Sequence, residues 1–228
     1  MRISDPAHAM ILAPGRNARY RDVPPLQGAR PRPDSHRANI MEAFLVSAAS
    51  VAVAEIGDRT QLLSLMLAAR YRRPFPILAG VLLATLANHT FAGLAGVWIA
   101  DLLSPFVLRL VLGIGLIAVA AWTLVPDTLQ RDADRLGGRG AFATALITFF
   151  FAEIGDKTQI ATVALAARFD DLALVVLGTT LGMMAANVPV IVFGSAFAGR
   201  LPLRAIRMAA AAIFAALGIA TLAQVPIL

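Results

Sequence analysis

Six stretches of the chain are apolar over about 20 residues or more, the length of helix that crosses a hydrocarbon core roughly 30 Å thick. They cover approximately residues 43–69, 75–103, 106–125, 141–167, 172–198 and 203–225. A segment in hydrocarbon has no water to satisfy its backbone N–H and C=O groups, so only helices and closed barrels can span it. These stretches are apolar on all sides and lack the period-two alternation of barrel strands, which leaves helices. Composition agrees. With 58% hydrophobic and 15% charged residues and a mean hydropathy of +0.73, 228 residues could not clothe this much apolar surface for water. The expected fold class is therefore an all-α membrane protein of six transmembrane helices.

Two of the six stretches carry charges that hydrocarbon should reject. The octapeptide AEIGDRTQ occupies residues 54–61, and AEIGDKTQ recurs at 152–159 with seven of eight residues identical and the one difference conserving charge. The likeness extends beyond the octapeptide at an offset of 98: Glu55 falls on Glu153, Gly80 on Gly178, Arg109 on Arg207 and Leu124 on Leu222, and Asn88 meets Asn187 after a single insertion. Between the third and fourth stretches lies the polar, glycine-rich PDTLQRDADRLGGRG, residues 126–140. The chain thus divides into a first three-helix repeat at 41–125, a linker at 126–140 and a second three-helix repeat at 141–228. A repeat with an odd number of spans enters the membrane from the opposite side the second time. Such inverted repeats are a hallmark of secondary transporters, whose sites lie near the midplane where the repeats meet.

Arginines set the orientation. The loops after the first, third and fifth stretches carry Arg70, Arg72, Arg73, Arg131, Arg135, Arg139, Arg200, Arg204 and Arg207, whereas the opposite loops carry Arg109 and Arg168. The positive-inside rule places the nine-arginine side, linker included, in the cytoplasm of a multi-pass inner-membrane protein. Residues 1–40 read as a disordered tail, with no run long enough for a signal peptide. MEAFLVSAAS opens directly into the first apolar stretch, so Met41 is the expected translation start. The net charge of +6 does not point to nucleic acid, because seven of the twenty basic residues precede Ala38 and the remainder is nearly balanced by acids. With no cysteine, any metal must be held by oxygen or by the three histidines.

On a continuous helix at 100° per residue, Glu55, Asp58, Arg59 and Gln61 share one arc of about 160°. Glu153, Asp156, Lys157 and Gln159 repeat it, while Thr60 and Thr158 turn away. Six charges at helix centres would cost roughly 15–20 kcal/mol on insertion scales. Glu55 with Arg59, and Glu153 with Lys157, stand at i,i+4 and are expected to pair along their own helices, leaving Asp58 and Asp156 without partners. The six charges sum to −2. One divalent cation would neutralise that sum, and so would two protons; their mutually exclusive binding is the minimum needed for cation/proton exchange. Carboxylate, amide and hydroxyl oxygens are hard donors suited to magnesium, calcium or manganese. The competing reading of an i,i+4 pair is a structural staple, which would not need the extra acid in each copy.

Asn88 and Asn187 are candidates for a supporting layer or for an interhelical hydrogen bond. Pro189 favours a break in the fifth helix. His89 has no counterpart in the other half and reads as a packing residue.

The two octapeptides match E-x-G-D-[KR]-[ST], and from about residue 41 to 225 the chain resembles uncharacterised protein family 0016, which includes bacterial manganese exporters and Golgi cation/proton antiporters. The resemblance implies two inverted three-helix halves moving manganese or calcium against protons, with Glu55, Asp58, Glu153 and Asp156 as metal ligands. It also gives Thr60 and Thr158 weight as ligands, which requires the helices to unwind at Gly57 and Gly155. Arg59 and Lys157 would compensate charge. No enzyme chemistry and no cofactor is implied; the partners are the transported cation, protons and the lipid bilayer. Rival readings are a calcium/proton antiporter, a passive divalent-cation channel, an amino-acid exporter and a membrane scaffold without transport.

Overall fold

In a computed structural model of the chain, the residues described are 33–125, 140–169, 171–194 and 202–224, with side chains from residue 41 onward. Among them are eight helices and no strand: α1 (Pro33–Glu55), α2 (Arg59–Tyr71), α3 (Pro74–Leu102), α4 (Pro105–Thr123), α5 (Ala141–Glu153), α6 (Lys157–Phe169), α7 (Leu172–Phe193) and α8 (Leu203–Leu222). By length and composition α3, α4, α7 and α8 can each cross a membrane. The two stretches that carry the octapeptides are not continuous helices. Each is divided at the octapeptide into a pair, α1 with α2 and α5 with α6.

Helix starts follow local chemistry. Pro74 and Pro105 open α3 and α4, where a missing N–H costs nothing. Asp171 caps α7 by accepting from the Leu174 N–H at 3.1 Å. Two expectations need correction. The stretch 1–40 was expected to be disordered, yet α1 begins at Pro33, where a proline in the first turn followed by Asp34 suits a helix start; residues 1–32 lie outside those described, as does 126–139 of the expected linker. Pro189 does not break the fifth stretch. It sits four residues before the end of α7, where losing its bond to the Ala185 carbonyl is tolerated.

Packing exchanges the two series of helices. α1 lies against α7 and α3 against α5, while α4 packs on α8. Gly178 meets the Phe44 carbonyl and Gly182 that of Ala48, so α1 and α7 run parallel. Gly80 meets Phe142 and Leu146, and Asn88 Nδ2 donates to the Phe150 carbonyl at 3.0 Å, so α3 and α5 also run parallel. In contrast α4 and α8 are antiparallel: Arg109 Nη1 donates to the Gln224 carbonyl at 2.7 Å, and Ile117 rests on Gly218.

The molecule is apolar outside and polar within. Phe75, Phe91, Trp98, Phe151, Phe193 and Ile219 are exposed, whereas Glu55, Asp58, Gln61, Asn88, Glu153, Asp156 and Lys157 are buried. That inversion suits a chain whose solvent is lipid and whose interior holds ions or water.

Candidate cation site

The break within each octapeptide is built from its own residues. α1 ends at Glu55, and Gly57 adopts φ +81°; α5 ends at Glu153, and Gly155 adopts φ +73°. Both values lie in the left-handed region that only glycine enters freely. The following aspartate then starts a new helix. Asp58 is the N-cap of α2, its side chain accepting from the Thr60 N–H at 3.2 Å, and Gln61 Oε1 reaches back to accept from the Gly57 N–H at 2.8 Å. Gln159 Oε1 accepts from the Gly155 N–H at 2.7 Å in the same way. D-x-x-Q thus works as a variant of the capping box, its glutamine reaching the residue before the cap while the Asp58 N–H donates to the Glu55 carbonyl. Gly57→Ala and Gly155→Ala are each expected to lower stability by about 1–3 kcal/mol through backbone strain. Gly57→Ala should cost more, because its Cβ would lie 2.7 Å from Leu203 Cδ2 whereas the space at Gly155 is open. Thermal unfolding of the two variants in detergent measures the difference.

The broken geometry changes the pairing expected of the charges. Residues 55 and 59 no longer belong to one helix, nor do 153 and 157, so the spacing of four along a helix does not set the pairing. Each base reaches the aspartate of the other half: Arg59 Nη2 lies 2.9 Å from Asp156 Oδ1, and Lys157 Nζ pairs with Asp58 Oδ1. Asp58 and Asp156, expected to lack partners, are the paired acids. Thr60, which a continuous wheel turned away, is brought inward by the unwinding that the family resemblance required, and its hydroxyl donates to Glu55 Oε2. Thr60 Oγ1 and Thr158 Oγ1 also lie 3.3 and 3.2 Å from Asp58 Oδ2 and Asp156 Oδ2.

Glu55, Asp58 and Asp156 each offer one carboxylate oxygen within 4.8 Å of the others, and all three side chains are buried. Glu55 Oε1 has no hydrogen-bond partner among the described residues. Glu153 stands outside this trio. It accepts at Oε1 from Thr85 Oγ1 on α3 at 2.8 Å, while its Oε2 lacks a partner. Thr85 was not legible as a site neighbour, because the position 98 residues on is Met183 and no repeat marks it.

The remaining candidates brace the site. Gln61 Nε2 donates to the Ala186 carbonyl at 3.0 Å, so its amide joins α2 to α7 and to the break. Gln159 is half-buried and serves its own break. Asn187 Oδ1 accepts from Ser64 Oγ at 2.6 Å, and Asn88 bonds α5, so both asparagines make interhelical bonds. His89 is fully buried with neither ring nitrogen partnered among the described residues.

Buried acids from two halves, spaced for one ion, agree with a comparison of the whole chain. Residues 43–131 and 141–226 match the family described as "Divalent cation/proton antiporter GDT1". The chain belongs to the GDT1 family. It is 49% identical over 192 residues to a Vibrio cholerae protein called "Putative manganese exporter", covering 84% of this chain and 94% of the relative. It is 26% identical over 202 residues to "GDT1-like protein 3" of Oryza sativa subsp. indica, covering 77% and 71%. No solved structure matches it. GDT1 proteins are antiporters of divalent cations and protons, a transport family and not an enzyme family.

Proposed function

We propose that the chain exports manganese from the cell in exchange for protons. In this reading residues 41–125 and 141–228 are inverted halves of three spans each, joined by a cytoplasmic linker in the inner membrane. Alternating access to Glu55, Asp58, Asp156 and Glu153 then moves one divalent ion one way and protons the other. The observation that carries the reading is the trio of buried carboxylates, two from one half and one from the other, within 4.8 Å of one another.

The antiparallel packing of α4 on α8, the third helices of the two halves, supports inversion. So does the exchanged pairing of α1 with α7 and of α3 with α5. Helix breaks beside an ion site are the usual device of such transporters, since they free backbone groups where hydrocarbon is excluded. Six clustered charges at −2 in sum, five of them buried, persist only if an ion or protons complete them. The oxygen-only donor set favours a hard cation, and the manganese named for the Vibrio relative selects among them.

Purified protein in proteoliposomes loaded with manganese should release it uphill when an inward-directed pH gradient is imposed, and should acidify the lumen as it does so. Manganese flux that only dissipates its own gradient, with no proton movement, would refute exchange. Calcium run in parallel decides between the two hard cations, and competition by a basic amino acid would point to the exporter reading instead.

A further inference from the structure

We propose that Arg59 and Lys157 are exchangeable counter-ions: each holds the aspartate of the opposite half until a cation displaces it, and Lys157 is then received by Glu153 of its own half. The inference rests on the cation-antiporter reading and adds to it a role for the two bases.

The carboxylate oxygens of the trio are almost all engaged. Asp58 Oδ1 is taken by Lys157 Nζ and Oδ2 by the Thr60 N–H; Asp156 Oδ1 is taken by Arg59 Nη2 and Oδ2 by Thr158 Oγ1. Among the described residues, Glu55 Oε1 is the trio's oxygen with neither a hydrogen bond nor an ion pair. A divalent ion that draws one oxygen from each acid therefore meets an ammonium and a guanidinium already in place. Two positive groups and a doubly charged ion crowded on the same oxygens repel strongly where no water screens them. Cation entry and base release are consequently one event.

The displaced lysine has a destination. Glu153 lies four residues before it, is buried, and keeps Oε2 without a hydrogen-bond partner among the described residues. Moving from Asp58 to Glu153 takes the Lys157 ammonium from the other half to its own. Both of the crossed ion pairs, Arg59 with Asp156 and Lys157 with Asp58, are thus broken by the ion, so the electrostatic ties across the site are present only while it is unfilled. Glutamates 55 and 153 then have different tasks despite octapeptides alike at seven of eight positions: one is the open ligand, the other the receiving acid. The two bases are also unequal. The Lys157–Asp58 pair is dry, at 2% and 0% side-chain exposure, whereas the Arg59 side chain is 27% exposed. Arg59 is the less enclosed of the two and has more room to move away.

The test uses the full chain in detergent, with manganese binding measured at pH 8.5, where protons compete least, and exchange measured in proteoliposomes. Lys157→Gln should bind manganese at least about tenfold more tightly than the wild type, since a tethered competitor is gone. It should exchange the ion at least about tenfold more slowly, since no ammonium returns to eject it. Lys157→Arg keeps the charge and should stay within about threefold on both measures, and Arg59→Gln should tighten binding less than Lys157→Gln. Unchanged or weaker binding in Lys157→Gln, or equal effects of Lys157→Gln and Lys157→Arg, would overturn the counter-ion role. If Lys157→Gln is unstable without metal, manganese should restore its thermal transition; failure to restore it also counts against the proposal, because the ion would then not replace the ammonium. A wild type that binds neither manganese nor calcium refutes the cation reading itself, and the counter-ion role with it. A wild type that binds while Lys157→Gln shows no tightening refutes the counter-ion role alone.

Discussion

Glu55→Gln is expected to abolish cation exchange, whereas Glu153→Gln should leave binding measurable. Glutamine preserves the shape of the side chain and an acceptor for the Thr60 hydroxyl, so the fold around α1 should survive. What it removes is the charge, and with it a carboxylate oxygen of the trio that has neither a hydrogen bond nor an ion pair among the described residues. A hard divalent ion held by three acids loses a ligand and a third of the opposing charge, and affinity should fall on the order of a hundredfold or more. Glu153 lies outside the trio and is held by Thr85. Its loss should weaken binding within about tenfold, the smaller end of the range for groups that support ligands. Exchange should still slow, because Lys157 has lost its receiving acid. Manganese titration of both variants, with thermal unfolding to verify the fold, checks the ranking. Equal losses at the two positions would remove the distinction between ligand and receiver.

Much of this architecture is legible in the chain, and the rest is hidden for definite reasons. The apolar stretches are visible because hydrocarbon thickness fixes their length. The repeated octapeptide marks the candidate site because charge within an apolar stretch is costly enough to need a function. The helix breaks are also legible in principle. Gly57 followed by Asp58 and Gln61 is a helix-start signature, but a continuous wheel drawn through it conceals the new start and assigns Arg59 to the wrong acid. The crossed pairs, Arg59 to Asp156 and Lys157 to Asp58, depend on how two distant segments face each other, which spacing within either segment does not encode. The asymmetry between Glu55 and Glu153 is invisible for a related reason. Their octapeptides differ only in the choice of base, and the difference comes from neighbours such as Thr85 on another helix.

Gly182→Val should unfold or misassemble the protein where Gly115→Val should not. A Cβ at Gly182 would lie 2.4 Å from the Ala48 carbonyl oxygen and 2.9 Å from the Ala52 nitrogen, both backbone atoms of α1. Gly178, one turn away, would meet the Phe44 carbonyl oxygen at 2.6 Å. No rotamer change relieves such contacts; α1 itself must move away from α7. Without a hydrophobic force between helices in lipid, close backbone packing at small residues is a main source of helix association, so the loss falls directly on stability. About 3 kcal/mol or more is expected, at or beyond the upper end for overpacked sites. A Cβ at Gly115 on α4 has nothing within 4 Å, and substitution there should be close to neutral. Thermal unfolding of both variants in detergent gives the comparison. Transport should follow stability at Gly182, because α1 ends at Glu55 while α7 supplies the Ala186 carbonyl and Asn187 that hold α2 in place. Displacing α1 from α7 would therefore move the open ligand relative to Asp58, and an ion site spaced for one cation would lose its spacing. A Gly182→Val protein with wild-type stability and manganese exchange would show that this contact does not set the site.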